Sequence, residues 1–124
     1  MEHGKIPFAI DDYLCCLGML APLVILSNAP FHWLVETVRR EEVMFDGILS
    51  SDLLHKCKPD TSIYLDACRL MNVAVEEVMM VAAHRFDTDA AKSVGMYGWH
   101  LGDKTKEVCC GNWQELLEYV GAKE

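Results

Sequence analysis

Apolar residues follow two rhythms along this chain, and the two alternate. Leu23-Val24-Ile25-Leu26 is a short continuous apolar run closed by Ser27-Asn28, the pattern of a strand buried on both faces. Val78-Met79-Met80-Val81-Ala82-Ala83 shows it most clearly and Gly47-Ile48-Leu49-Ser50 more weakly. Met96 to Leu101 and Glu107 to Cys110 are two further predicted strands. Between these runs the apolar positions move to helical spacing. Tyr13, Leu14, Leu17 and Leu20 share one face of a helix predicted over 11–21, with Asp11 and Asp12 as N-caps and Pro22 as its stop. Pro30 can open a second helix that runs to Glu42. A short helix is expected after Ser51-Asp52. Asp60 or Thr61 caps another through Met71, with Ile63, Tyr64, Ala67 and Leu70 on one side. Asp87 through Val94 is predicted helical, and Gly95 suits the C′ position. Asn112 and Glu115 have the spacing of a capping box for a last helix from Trp113 to Val120, ended by Gly121.

Strands alternating with helices predict an α/β fold, a Rossmann-like parallel sheet flanked by helices. At 124 residues the chain is expected to be one domain, 1–124. Ligands of such sheets bind outside the carboxyl ends of the strands. That rule selects Ser27-Asn28, the loop that holds Lys58, and the stretch His84 to Asp87. Each also has an ordinary structural use. Ser27 and Asn28 can satisfy backbone groups at a strand end, Lys58-Pro59-Asp60 can be a turn into a capped helix, and Asp87 can be an N-cap.

Charge and cysteines narrow the classes. The net charge of −8 would repel nucleic-acid phosphates, and Arg39-Arg40 is followed at once by Glu41-Glu42. The longest apolar run, Met19 to Leu26, is interrupted by Pro22 and is too short to span a bilayer. Residues 1–10 lack the pattern of a secretory signal. The expectation is a soluble cytoplasmic protein with no membrane partner. Six cysteines include the adjacent pairs Cys15-Cys16 and Cys109-Cys110, which bridge only with strain, so all six are expected to be reduced core residues. His55 and Cys57 lack two further ligands at zinc spacing.

Three stretches taken together, PLVILSNAP, CKPDTSIY and VMMVAAHRFDTDAAKSVGM, resemble the haloacid dehalogenase-like hydrolase superfamily, and within it the 2-haloacid dehalogenases. Leu26-Ser27-Asn28 looks like the second motif, Lys58-Pro59-Asp60 like the third, and Val81 to Asp87 like the fourth, with Gly95-Met96 in the usual place before the next strand. The likeness covers residues 7–120. It implies hydrolysis of a small 2-halo acid through an ester on an aspartate nucleophile. By the same resemblance, Ser27 would donate to charge at the reacting centre, Lys58 would hold a carboxylate ionised, and Asp87 would orient Lys58 or position the hydrolytic water. Asn28 and His84 are implied substrate contacts. No cofactor is implied, unless the chain is a phosphatase relative, in which Asp87 would bind magnesium.

The sequence also departs from that family. Ala82 and His84 stand where the dehalogenases typically carry serine and asparagine. The larger departure is the first motif, an aspartate at the end of a central strand followed by Gly-Thr. Asp11-Asp12-Tyr13-Leu14-Cys15 has a D-x-Y start without Gly-Thr, which makes Asp11 the weak candidate nucleophile. The preferred expectation is that Pro7 to Leu20 resembles the segment that leaves a cap domain. The chain would then be the C-terminal part of such a core, with its nucleophile and cap missing. It would be inactive alone, or a non-catalytic binding or oligomerising piece. Its sheet would lack the strand that lies between Leu23–Asn28 and Val78–Ala83 in the family. It would then expose edges through which the chain could form homo-oligomers.

Overall fold

A computed structural model describes residues 10–42, 44–58, 60–102 and 110–123; of residues 10–12, 110 and 123 it describes the backbone alone. Helix α1 (Ile10–Gly18) leads to strand β1 (Val24–Ser27), helix α2 (Phe31–Glu41), strand β2 (Gly47–Ser50) and the single turn α3 (Ser51–Leu54). Helix α4 (Thr61–Met71), strand β3 (Met79–Ala82), helix α5 (Arg85–Ser93), strand β4 (Tyr97–Leu101), strand β5 (Cys110–Gly111) and helix α6 (Trp113–Lys123) follow. A 3-10 turn over Val75–Glu77 precedes β3, where the sequence analysis placed no element.

All strand pairs are parallel, as continuous apolar strands require. Among the described residues they form two sheets. β1 pairs with β2, Val24 opposite Gly47 through Ser27 opposite Ser50. β3 pairs with β4, and β4 with β5. β1 and β3 each have one hydrogen-bonded neighbour. Among the described residues no strand lies between β1 and β3; residues 1–9 lie outside them.

Alternate residues of β3 feed two cores on opposite faces, because a strand's side chains alternate with period two. Val78 and Met80 pack on the side of α4 and α5, against buried Ile63, Tyr64, Cys68, Ala91 and Met96. Met79 and Val81 pack on the other side, against Leu17 of α1, Trp99 of β4 and Leu116 of α6. Among the described residues the result is a three-layer α/β sandwich with two parallel half-sheets in its middle layer.

Local chemistry explains the element ends. Asp60 caps α4, its carboxylate accepting from the Ser62 amide at 3.0 Å and the Ser62 hydroxyl at 2.8 Å. Asn72 closes that helix in the left-handed region, φ 58°, a conformation asparagine tolerates. The capping box forms as expected: the Glu115 amide donates to Asn112 Oδ1 and the Asn112 amide to Glu115 Oε1, both at 2.9 Å. Gly95 after α5 has φ 104°, which a residue with a Cβ would adopt only with strain.

Several boundaries differ from expectation. α1 ends at Gly18, short of residue 21, where the chain tightens: the Met19 amide donates to the Cys16 carbonyl and the Leu20 amide to the Leu17 carbonyl, each three residues back. α5 starts at Arg85, so Asp87 lies inside the first helical turn with its amide donating to the His84 carbonyl at 3.1 Å. α6 runs through Gly121 to Lys123, as a helix tolerates one glycine at a cost of about 1 kcal/mol. The strand expected from Glu107 is seen only at Cys110–Gly111, and residues 103–109 lie outside the described residues. Among the described residues no helix is long and apolar enough to cross a membrane.

Candidate active site

The carboxyl ends of β1 and β3 are joined by one lysine. Lys58 Nζ donates to the Leu26 carbonyl of β1 at 3.0 Å and to Asp87 Oδ2 at 2.5 Å. The side chains of both Lys58 and Asp87 are largely buried, 11% and 6% exposed. A buried ion pair needs each remaining polar atom satisfied. Asp87 meets that condition. Its Oδ1 accepts from the Tyr64 hydroxyl at 2.5 Å, and its charge lies in the first turn of α5, where the helix dipole favours an anion.

Tyr64 itself is fully buried. Burial foremost, then the hydrogen bond to Asp87 and its charge, raise the phenol well above its ordinary value. It therefore stays a neutral donor. Both Asp87 oxygens are engaged, so Asp87 is placed to orient its neighbours. It is poorly placed to attack a substrate, since its side chain is buried and both oxygens are held by donors. An ammonium has three N–H donors, and the structure assigns two of them on Lys58.

The backbone of Lys58 is held as firmly as its side chain. Asn28 Nδ2 donates to the Lys58 carbonyl at 3.1 Å, and the Lys58 amide donates to Asn28 Oδ1 at 2.8 Å. The loop after β1 is clamped in turn from β2 and α3. Ser51 Oγ donates to the Asn28 carbonyl at 3.0 Å. The Phe31 amide, which opens α2, donates to both oxygens of Asp52. The Ser50 hydroxyl, foremost, and the Phe31 amide hold the Asp52 carboxyl below its usual range.

The sequence-predicted residues are thus distributed unevenly. Lys58 and Asp87 meet directly. Asn28 faces the Lys58 backbone with both polar atoms of its amide, a supporting contact distinct from the substrate role that the resemblance implied. Ser27 lies between the two residues that bond Lys58, but its hydroxyl accepts the Ala29 amide at 3.1 Å. His84 is exposed, N-caps α5 by position, and stacks on Phe86 with centroids 5.3 Å apart. Asp11 belongs to the first turn of α1, so it does not end a strand; its side chain lies outside the described residues. Tyr64 was read from sequence only as a core residue. The signal that could have singled it out is its place in the first turn of α4, one helical turn after the Lys58-Pro59-Asp60 motif.

No trio of His, Cys, Asp or Glu among the described residues gathers as a metal site. Asp87, the residue that would hold magnesium in a phosphatase relative, has both oxygens engaged by Lys58 and Tyr64. Among the described residues no further acid joins Asp87 to complete a metal site.

Comparison with known proteins agrees with the geometry. Residues 16–95 match the model of the haloacid dehalogenase-like hydrolase family. A phosphoglycolate phosphatase from Thiobacillus denitrificans is 36% identical over 70 residues, which is 52% of this chain and 31% of that protein. A solved L-2-haloacid dehalogenase superposes with a TM-score of 0.78 at 25% identity, over 88% of this chain and 55% of that one. The L-2-haloacid dehalogenase from Xanthobacter autotrophicus, solved with chloropropionic acid covalently bound, gives a TM-score of 0.69 at 24% identity, over 77% of this chain and 40% of that one. The chain thus spans about half the length, or less, of these relatives.

Proposed function

This chain belongs to the haloacid dehalogenase-like hydrolase family, and on that premise we propose that it carries the charge-handling half of a 2-haloacid dehalogenase site. The reaction is hydrolytic removal of halide from a small 2-halo acid. The observation that carries the reading is Lys58, fixed between the Leu26 carbonyl and a buried Asp87 that Tyr64 holds.

In this reading Lys58 keeps an attacking carboxylate ionised and opposes the charge that develops as halide leaves. Asp87 and Tyr64 set the position of that ammonium, and Asn28 sets the backbone it hangs from. Phe31 and Phe86 open α2 and α5 and are partly exposed, an apolar border suited to the carbon chain of a small acid. A dehalogenase agrees with Asp87 engaged as it is better than a magnesium-dependent phosphatase does. The phosphatase reading keeps one point in its favour, the identity to the phosphoglycolate phosphatase.

The described residues place no second carboxylate at Lys58. The D-x-Y start at Asp11 lacks Gly-Thr, and without an attacking carboxylate there is no covalent route, so this chain by itself is expected to turn over no substrate. The test has three arms. Chloride is measured after incubation with 2-chloropropionate, beside an Asp11→Asn variant. Phosphate is measured from phosphoglycolate with and without magnesium. Amide spectra follow the binding of 2-chloropropionate. Expected are no turnover of either kind and shifts at Asn28 and Lys58. Chloride release that vanishes in Asp11→Asn would make Asp11 the nucleophile. Magnesium-dependent phosphate release would establish the phosphatase, and absent shifts at Lys58 would sink the dehalogenase reading.

A further inference from the structure

β4 turns its residues to two faces in alternation. Trp99 enters the core with Leu17 and Leu116, so Gly98 and His100 share the opposite face, that of α5. At Gly98 an added Cβ would stand 2.9 Å from Lys92 Cε and 3.2 Å from the Thr88 carbonyl oxygen. The bare backbone there lets α5 lie close against β4. At the carboxyl end of the strand, that closeness brings the imidazole of His100 to the turn from which α5 rises. His100 Nε2 lies 3.1 Å from the Ala83 carbonyl oxygen. A carbonyl oxygen only accepts, so Nε2 carries a proton and donates it.

The carbonyl that receives this bond stands at a joint. β3 ends at Ala82, which is opposite His100 in the register. His84 N-caps α5, and its carbonyl takes the Asp87 amide at 3.1 Å. Ala83 lies between the strand and the helix. The tilt of the Ala83–His84 peptide therefore sets the direction in which the first turn of α5 leaves the sheet. A backbone carbonyl at such a place needs a partner, and the imidazole supplies one that also fixes the tilt. Asp87 rides on the turn that follows, where its carboxylate meets Lys58 Nζ at 2.5 Å and the Tyr64 hydroxyl. Contacts that short leave little room for the joint to move.

We propose that His100 is a positioning residue for the Lys58–Asp87 pair: its Nε2–H pins the Ala83 carbonyl and so aims Asp87 at Lys58. It acts through the backbone of the β3–α5 turn. The inference rests on the reading of Lys58 as the residue that handles charge, and it adds the part of the sheet that holds that pair in register.

The full chain, labelled with 15N and 13C, is compared with His100→Phe and His100→Gln. Phenylalanine keeps a ring and loses the donor. Glutamine carries an N–H donor as many bonds from its Cα as Nε2 is in histidine. In the unaltered chain the imidazole nitrogen spectrum should show a proton on Nε2. His100→Phe should move the Asp87 carboxyl carbon and Lys58 ammonium nitrogen resonances. It should also speed exchange of the Asp87 amide about tenfold, the size of one lost hydrogen bond. His100→Gln should return all three toward the original values, a rescue that a merely space-filling role would not give. A proton on Nδ1 alone in the unaltered chain overturns the inference. So do unmoved Asp87 and Lys58 signals in His100→Phe, or equal displacement in both variants. If His100→Phe does not fold, His100→Leu takes its place under the same criteria. All signals are read without substrate. A chain that fails to bind 2-chloropropionate would thus defeat the dehalogenase reading and leave the role of His100 to these spectra.

Discussion

Lys58, Asp87 and Tyr64 form a chain of dependence that each residue's chemistry makes asymmetric. Removing Lys58 leaves a buried carboxylate with one donor, and an uncompensated buried charge costs roughly 3–5 kcal/mol. Lys58→Ala is therefore expected to lower stability by about that much in urea unfolding. Asp87→Asn in that background should recover part of the loss, because a neutral amide needs no counter-charge. Equal, additive losses would show that the two side chains do not form a pair. Tyr64→Phe removes one donor from Asp87 and is expected to cost about 1–3 kcal/mol. Tyr64 also governs the alkaline limb. Its pKa is raised in the folded chain, so the stability it lends is complete below the ordinary phenol value of about 10 and is lost as pH rises past it. In a spectroscopic titration Tyr64 should ionise last, together with unfolding, and the Tyr64→Phe variant should lack that final step. Ionisation of all four tyrosines in one ordinary phase would refute the burial argument.

At the scale of elements, α4 carries Tyr64 into place, and its start is set by Asp60. The Ser62 amide and hydroxyl hold that carboxyl below its ordinary value of 3.8. A depressed carboxyl stabilises the fold above its ordinary pKa and loses that contribution as pH falls through the folded value. Asp60→Ala is expected to lower Tm at neutral pH. Asp60→Asn caps a helix about as well as aspartate, so it should preserve Tm at neutral pH and flatten the acid side of the profile. A fall in Tm for asparagine as large as that for alanine would show that charge rather than cap geometry anchors α4. The loop after β1 follows the same logic of mutual support. Asn28, Ser51 and Asp52 connect three elements by hydrogen bonds, and together they fix where Lys58 emerges.

For the whole molecule the division of the strands into two half-sheets is the governing feature. Among the described residues β1 and β3 each have one strand partner, and amides without protein acceptors exchange readily. The β1 and β3 amides that point away from that partner should exchange much faster than those bonded to β2 and β4. Uniform protection along both strands would mean that the space between them is already filled. The two cores are otherwise continuous with the helices. Ile63 and Tyr64 on one face and Leu116 on the other are essentially inaccessible, and this packing holds the two halves in place.

Much of this was legible in the chain of letters. Period-two and helical spacing located β1, β3, α4 and the capping box, because those signals depend on neighbours a few residues apart. The end-of-strand rule then brought out Ser27, Lys58 and Asp87, and family likeness agreed with it. Tyr64 escaped, since a buried phenol in an apolar helix face reads as core until its hydroxyl is seen to meet Asp87, 23 residues away. The engagement of Asn28 with the Lys58 backbone escaped for the same reason. Sequence by itself determined which segments would be strands or helices and which charged residues would stand at strand ends, as local periodicity and capping govern both. Tertiary structure alone decided which of those residues touch, because contacts between residues far apart in the chain depend on how the elements pack in space.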